Sequence, residues 1–348
     1  MTFRILLIDD SALSRRVVRD IAEELPGVTV IGEAVNGQQG IDMMERLKPD
    51  LAILDVEMPI LNGLQVLEER KKRKIDTAVL MLSVLTKEQA ETTFKALELG
   101  ALDFVPKPSA HIGFMVDQLQ SLLKQKITEF IASRQVTPST VRSKLDRQST
   151  PKHRIKDFDL VLIGSSTGGP QCLHRIFSKM PASFELPICV VQHMPPVFTA
   201  AFANRLNSIS KISVFEAETG MTIQAGQAVI AKGGIHLALE TSAGAATRGI
   251  RLILDDSPPV NAHRPAVDFT LKTAIQQFGG RILAIIMTGM GRDGVDGLHQ
   301  LKKNGGFVLA QDEATSVVFG MNRRAIEEGV VDLILPDYEI ADFLADLS

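Results

Sequence analysis

Two groups of residues in this chain have the types and spacing to do chemistry. The first is acidic: Asp9 and Asp10 follow the apolar run FRILLI, Asp55 ends LAILD, Ser83 ends AVLMLS, and Lys107 follows DFVP. If these runs are strands of one parallel sheet, their carboxyl ends share an edge and the five side chains converge there. Clustered carboxylates repel one another unless a cation neutralises them, and a hard, oxygen-seeking ion such as Mg²⁺ suits such a site. With that ion and the Lys107 ammonium screening the charge, one carboxylate can attack a phosphoryl group, and Asp55 is the best placed. A single strand-end aspartate is ordinarily a turn or helix-cap residue, but five polar groups together are harder to dismiss.

The second group begins where DLVLIG runs into GSSTGGP and then a helical pattern, QCLHRIFSKM, placing the glycines on a strand-to-helix turn. A dinucleotide loop would need glycine where Ser166 stands, and the lysine of a phosphate loop is missing. The turn does match G-x-S-x-G, from Gly164 to Gly168, which makes Ser166 the candidate nucleophile on an exposed sharp turn. A serine hydroxyl needs a base, and His193 ends the strand pattern ICVVQH 27 residues on. An acid is then needed to hold the imidazole tautomer: Asp293, in MTGMGRDG after ILAIIM, ends another strand, and Asp296 lies three residues further in a helical pattern. The order Ser, His, Asp differs from that of the α/β-hydrolases. Asn261, His263 and Arg264 either line a pocket or cap the helix that follows, and Asp255 with Asp256 reads as a solvated turn more readily than as a dyad. His111, His153, His174, His236 and His299 read as surface or core residues, and no cluster has zinc spacing.

The elements that must position these residues follow from the pattern of the 348-residue chain, which is long for one domain and is 45% hydrophobic and 23% charged. Before residue 133, FRILLID, VTVIGEAV, DLAILD, TAVLMLS and ALDFVPK alternate with amphipathic stretches, predicting a five-stranded parallel α/β sheet over 1–132. Residues 133–156 hold seven Lys/Arg against one acid, seven Ser/Thr and four aliphatic residues, the composition of a linker. From 157 to 348 the same grammar resumes with DLVLIG, PICVVQH, RILAIIMTG, GFVLAQ and VVDLIL, predicting a doubly wound, mostly parallel α/β domain. Its middle, residues 212–255, is expected to form a small antiparallel subsheet from ISVFEAE, QAVIA, HLALE and RLILD. The longest apolar run, Ile282 to Met287, is far too short for a membrane helix, so no membrane insertion is expected. The start MTFRILLIDD is unlike a secretory signal, and Cys172 and Cys189 build no disulfide framework, which together predict a cytoplasmic protein. No aromatics interleave the basic linker and no helix-turn-helix pattern follows it, so nucleic acid is not expected as a partner.

Through LLIDDS, ILDVEMP with its NGL continuation, LS at the fourth strand and DFVPKP, residues 1–130 resemble the response-regulator receiver family. That resemblance implies a flavodoxin-like receiver domain phosphorylated on Asp55 by a histidine kinase. It implies Mg²⁺ held by Asp10 and Asp55 with the Glu57 carbonyl, Asp9 assisting, and Ser83 and Lys107 contacting the phosphoryl group. Phe104 would be the aromatic whose rotamer follows phosphorylation, or equally plain core. From about residue 158 the chain resembles the catalytic domain of the chemotaxis protein-glutamate methylesterases, the CheB family. The matching segments are GSSTGGP, QHMPPVFTAAFANRL, SPPVNAHRPAVD, TGMGRDG and AQDEATSVVFGM.

This second resemblance implies a Ser166, His193, Asp293 triad, with Thr167 orienting the imidazole and Met290 offering a backbone oxyanion donor. The implied substrates are γ-glutamyl methyl esters on chemoreceptor cytoplasmic helices, hydrolysed to glutamate and methanol, and receptor glutamines, deamidated. No cofactor is implied for the esterase, and the unphosphorylated receiver is expected to limit access to it. Ser165 stands where the family often has Ala, leaving two adjacent hydroxyls as candidate nucleophiles, of which the centre of G-x-S-x-G favours Ser166. The rival expectation is a phosphorylation-gated protein that docks on receptors without hydrolysing anything.

Overall fold

The computed structural model describes residues 2–84, 86–107, 116–135, 157–241 and 249–347, and the chain divides into two units, Met1–Gln135 and Val136–Ser348. In the first, strands β1 (Phe3–Ile8), β2 (Val28–Ala34), β3 (Leu51–Asp55), β4 (Ala78–Ser83) and β5 (Asp103–Pro106) alternate with five helices. These are α1 (Ala12–Glu23), α2 (Gly37–Leu47), α3 (Gly63–Lys72), α4 (Lys87–Glu98) and α5 (Val116–Gln135). The strands are parallel, in the order β2-β1-β3-β4-β5, so the chain reverses its winding direction between β1 and β3. Every residue of β3 is buried, as a strand covered on both faces must be. Ile5 and Leu7 of β1 pack with Val18 and Ile21 of α1 and Leu119, Leu123 and Ile127 of α5. The opposite face carries Ile8, against which α2 lies so closely that a Cβ on Gly40 would come within 2.7 Å of it. Side chains in the strand-to-helix turns start the helices: Ser11, Asn36, Asn62 and Thr86 each accept the N–H three residues on, a cap worth about 1 kcal/mol each.

Helix α5 continues to Gln135, so the first three residues of the expected linker are helical. Its spacing of Leu119, Leu123, Ile127 and Phe130 carries an apolar face to the end of the unit, and Ser133 and Arg134 add one more turn. The rest of that stretch, 136–156, lies outside the described residues, as do His111 and His153.

The second unit runs β6 (Leu160–Ser165), α6 (Gly169–Lys179), β7 (Ile188–Gln192), α7 (Pro196–Ile209), β8 (Ser213–Glu216), β9 (Thr222–Ile223) and β10 (Gln227–Ile230). It continues through β11 (His236–Thr241), β12 (Ile250–Asp255), α8 (Val267–Phe278), β13 (Ile282–Ile286), α9 (Val295–Lys303) and β14 (Phe307–Gln311). It closes with α10 (Met321–Glu327), β15 (Leu333–Leu335) and α11 (Asp337–Ala345). Seven strands form a parallel sheet in the order β15-β14-β13-β6-β7-β10-β8. From β6 the chain winds first through β7 and later, after an excursion, through β13, so β6 sits at the point of reversal.

The antiparallel sheet is smaller than expected, with the order β11-β12-β9. ISVFEAE and QAVIA do not belong to it: they supply β8 and β10, which extend the parallel sheet beside β7. The reason is legible in QAVIA, whose Ala228 to Ala231 are all buried; a strand covered on both faces carries such a continuous apolar run, whereas a half-exposed antiparallel strand alternates. Helix α8 closes one edge of the small sheet, Thr270 Oγ1 donating to Leu237 O at 2.8 Å and Thr273 Oγ1 accepting from Leu239 N at 3.2 Å.

Candidate phosphoacceptor and active sites

In the first unit the reversal of winding leaves a crevice at the carboxyl ends of β1 and β3, and Asp9, Asp10 and Asp55 meet there with carboxylate oxygens within 4.8 Å of one another. Lys107, just past β5, reaches in: its Nζ lies 2.7 Å from Asp9 Oδ2 and 2.7 Å from Asp55 Oδ2. Asp9 is otherwise taken up by the start of α1, accepting from Ser11 N at 2.9 Å and Ser14 Oγ at 2.7 Å. Asp10 is exposed and lines the pocket with Asp55, Glu57 and Lys107. Burial raises the Asp55 carboxyl to about 6, with Asp9 adding to the rise, against the Lys107 ammonium and the Glu57 N–H. Three close carboxylates facing one lysine are a donor set of hard oxygens with surplus negative charge, which suits Mg²⁺.

Ser83 does not point freely into the pocket. Its hydroxyl is buried 2.7 Å from Thr93 Oγ1 of α4, and because Thr93 Oγ1 donates to Gln89 O at 2.8 Å, Ser83 is the donor between them. Phe104 is buried and meets the neighbouring Phe94 edge-on at 6.4 Å. Consecutive residues of one helix therefore touch both expected switch residues.

In the second unit the three strands β7, β6 and β13 lie side by side, and His193, Ser166 and Asp293 follow their carboxyl ends. Asp293 stands further from its strand than expected: β13 ends at Ile286 and a glycine-containing loop carries the chain to Asp293, just before α9. From there its Oδ2 lies 2.8 Å from His193 Nε2. The first N–H groups of α8 aim at the same carboxylate, Val267 N reaching Oδ2 at 2.7 Å and Asp268 N reaching Oδ1 at 3.2 Å. The residue preceding α8, Ala266, has no capping side chain, so Asp293 caps that helix from elsewhere in the fold. Gly164 makes the approach possible, since a Cβ there would lie 2.8 Å from both Val267 methyls.

Burial works to raise the Asp293 carboxyl, but the His193 hydrogen bond and charge and the two α8 N–H groups outweigh it and hold it at about 2. An ionised carboxylate only accepts, so Nε2 carries a proton, and in the neutral imidazole the lone pair is then on Nδ1. Nδ1 is buried without a hydrogen-bond partner. His263 stacks on the ring at 3.8 Å between centroids and 9° between planes. Asn261 Nδ2 bridges Asp268 Oδ2 at 2.7 Å and Asp293 Oδ1 at 3.2 Å, so of the three residues left between pocket and cap, two reach the carboxylate–imidazole pair. Arg264 donates to the Asp256 and Ser257 carbonyls instead. Asp255 accepts the Ser257 N–H at 2.8 Å, as a turn residue does.

Ser166 occupies the centre of its turn but is only 3% exposed. The Gly289 backbone lies over it, where a Cβ would come 2.7 Å from Ser166 Cβ. Its N–H donates to Thr288 O at 2.9 Å. Thr288 Oγ1 donates to the carbonyl of buried Thr167 at 2.8 Å, while Thr288 N donates to Gln311 Oε1 at 2.9 Å. Met290 follows Gly289 on this loop and is half-buried. Ser165, the other candidate hydroxyl, is fully buried and donates to Gln192 Oε1 at 2.7 Å. Thr288, Gln311, Gln192 and Asp268 are not singled out by the sequence; all four lie inside quoted motifs, but only their partners mark them.

Residues 161–344 match the CheB methylesterase family and residues 5–117 the response regulator receiver domain family. The chain is 43% identical over 341 residues to a protein-glutamate methylesterase/protein-glutamine glutaminase of Pyrococcus horikoshii, covering 96% of this chain and 90% of that one. It is 42% identical over 346 residues to the protein of the same name from Thermotoga maritima, covering 99% and 98%. The crystal structure of the Thermotoga maritima CheB methylesterase catalytic domain superposes with a TM-score of 0.52 at 46% identity, over 55% of this chain and 99% of that one. With both stretches matched in this order and relatives aligned nearly end to end, the chain belongs to the CheB methylesterase family and carries an N-terminal response regulator receiver domain.

Proposed function

We propose that this protein is a phosphorylation-controlled serine hydrolase that cleaves γ-glutamyl methyl esters on the cytoplasmic helices of chemoreceptors, and deamidates receptor glutamines, in chemotactic adaptation. The observation that carries the chemistry is the His193 imidazole, bound through Nε2 to an ionised carboxylate with Nδ1 buried and unpartnered, just past the strand beside the one leading to Ser166. The relatives' shared name supports the substrate class.

His193 Nδ1 takes the proton from Ser166 Oγ as that oxygen bonds to the ester carbonyl carbon, and the carbonyl electrons move onto its oxygen. Asp293 stabilises the imidazolium that results. Backbone N–H groups of Thr167 and Met290 receive the oxyanion, each worth ~10²–10³ in rate. When the tetrahedral adduct collapses, the imidazolium returns its proton to the departing methoxide and methanol leaves. Water then gives a proton to Nδ1 and its oxygen to the acyl carbon, and as that adduct collapses the imidazolium returns the proton to Ser166 Oγ, releasing the glutamate and restoring both residues. The role of base falls to Nδ1 rather than Nε2, the reverse of the chymotrypsin arrangement.

In the receiver unit Asp55 accepts the phosphoryl group from a histidine kinase, and the modification raises hydrolysis. Asp10, Asp55 and the Glu57 carbonyl would hold Mg²⁺, which supplies positive charge for the phosphoryl oxygens. Lys107 holds Asp55 and Asp9 in register, and Ser83 leaves Thr93 to meet the phosphoryl group. The test is methanol release from methylated receptor by wild type, Ser166→Ala and Ser165→Ala, with and without a small-molecule phosphodonor and Mg²⁺. Release that persists in Ser165→Ala, vanishes in Ser166→Ala and rises with phosphodonor is the expected result. No release by folded, phosphorylated wild type would overturn the reading in favour of a protein that docks without hydrolysing, or of a different substrate.

A further inference from the structure

We infer that Gln192 is a positioning residue that sets the oxyanion geometry of this site, an inference that rests on the serine-hydrolase reading. The last residue of β7, Gln192 is 2% exposed. Its carboxamide makes three contacts, each to a residue adjoining the reacting groups. Nε2 donates to Ser166 O at 2.9 Å and to His193 O at 3.0 Å, and Oε1 accepts from Ser165 Oγ at 2.7 Å. One side chain thus joins the turn that bears the nucleophile to the chain segment that bears the base. The placement of the two amide atoms follows from their partners: both carbonyls need a donor, and only the hydroxyl can give a proton to Oε1.

The consequence lies in the Ser166–Thr167 peptide. A trans peptide unit is planar, with its C=O and N–H pointing in opposite directions. Ser166 O is held by Gln192 Nε2 at 2.9 Å and by Gly169 N at 2.8 Å, so the direction of the Thr167 N–H is fixed from the far side of the same plane. The N–H of the residue after the nucleophile is the position from which a strand-turn-helix serine site stabilises its oxyanion. The next carbonyl along, Thr167 O, accepts from Thr288 Oγ1 at 2.8 Å, so the peptide planes on both sides of Thr167 are clamped. Gly169 is the companion requirement. A Cβ there would lie 2.1 Å from Gln192 Oε1 and 2.8 Å from Ser165 Cβ, so the third glycine of GSSTGGP leaves the room that the carboxamide fills. The same bond that seats Gln192 directs the Ser165 hydroxyl away from substrate chemistry.

The prediction is read on the full-length protein with Gln192→Leu, which keeps the volume and removes all three hydrogen bonds, and Gln192→Glu, which keeps the acceptor for Ser165 and sets an oxygen against two carbonyls. Two measurements are made: kcat and KM for methanol release, and the rate and endpoint of Ser166 labelling by a fluorophosphonate, followed by mass spectrometry. Loss of oxyanion alignment is expected to lower kcat by about 10²-fold in Gln192→Leu and further in Gln192→Glu. KM is expected to stay near the wild-type value, with slower labelling that still reaches the wild-type endpoint. A kcat for Gln192→Leu within a few-fold of wild type would overturn the inference. So would a labelling endpoint that falls in proportion to kcat, since that means fewer folded sites rather than a misaligned one. Wild type that labels at Ser166 but releases no methanol would overturn the proposed substrate alone, and the labelling rates would still judge Gln192.

Discussion

Two buried carboxyl groups sit behind the His193 imidazole, and their environments push them apart. Asp293 has α8 N–H groups and the imidazole as partners and is held at about 2. Asp268 is pushed up to about 6, chiefly by burial and in part by the charge of Asp293, although the Gly297 and Gly294 N–H groups and Asn261 favour its ionised form. The linked stabilities have opposite signs. Asp293, depressed below its ordinary value of 3.8, contributes stability that is present above pH 4 and is lost as pH falls through about 2. Asp268, raised above 3.8, keeps its proton longer in the folded state, so its contribution is full below pH 4 and is lost as pH rises through about 6. Thermal melts at intervals from pH 4 to pH 7 are expected to show wild type losing stability relative to Asp268→Asn as pH rises across that window. Parallel curves would assign the proton to some other group.

At the scale of elements, the sites are made by turns whose glycines admit a neighbour. Gly164 lets the start of α8 reach Asp293, and Gly289 lets its loop lie on Ser166. The opposite situation occurs after β3, where Ile60 adopts φ 72° and is 73% exposed. A β-branched residue in the left-handed region carries strain of about 1–2 kcal/mol, and no burial of its side chain offsets it. Ile60→Asn is therefore expected to stabilise the protein by about 1 kcal/mol, read from denaturant melts. A variant no more stable than wild type would mean the loop is held in that conformation at no cost. Helix α4 shows the same economy of elements, with Thr93 bonded to Ser83 and Phe94 packed on Phe104. The strands are readable because each is a short buried apolar run bounded by turn residues; the continuous run of β10 marks a strand covered on both faces, but which strands flank β8 and β10 is not written in their own residues.

On the scale of the molecule, each unit has its own parallel sheet and its own buried core, and the second is matched by a catalytic domain whose structure was determined alone. Residues 157–348 are thus expected to fold by themselves. If the receiver restrains hydrolysis until Asp55 is phosphorylated, this fragment will release methanol faster than the unphosphorylated full chain, and Asp55→Asn will abolish the response to phosphodonor. A folded fragment with no activity would show instead that the receiver is needed for catalysis. The sequence by itself determined the α/β alternation, the polar residues at strand ends and the serine at the centre of G-x-S-x-G, because these depend on hydrophobic period and turn chemistry over a few residues. Only the tertiary structure decided which hydroxyl is turned away, which imidazole nitrogen faces the carboxylate, and that Gln192, Thr288 and Asp268 stand behind the site. Those outcomes rest on contacts between segments far apart in the chain, the His193–Asp293 bond joining residues 100 positions apart, and such contacts exist only once three neighbouring strands have brought their ends together.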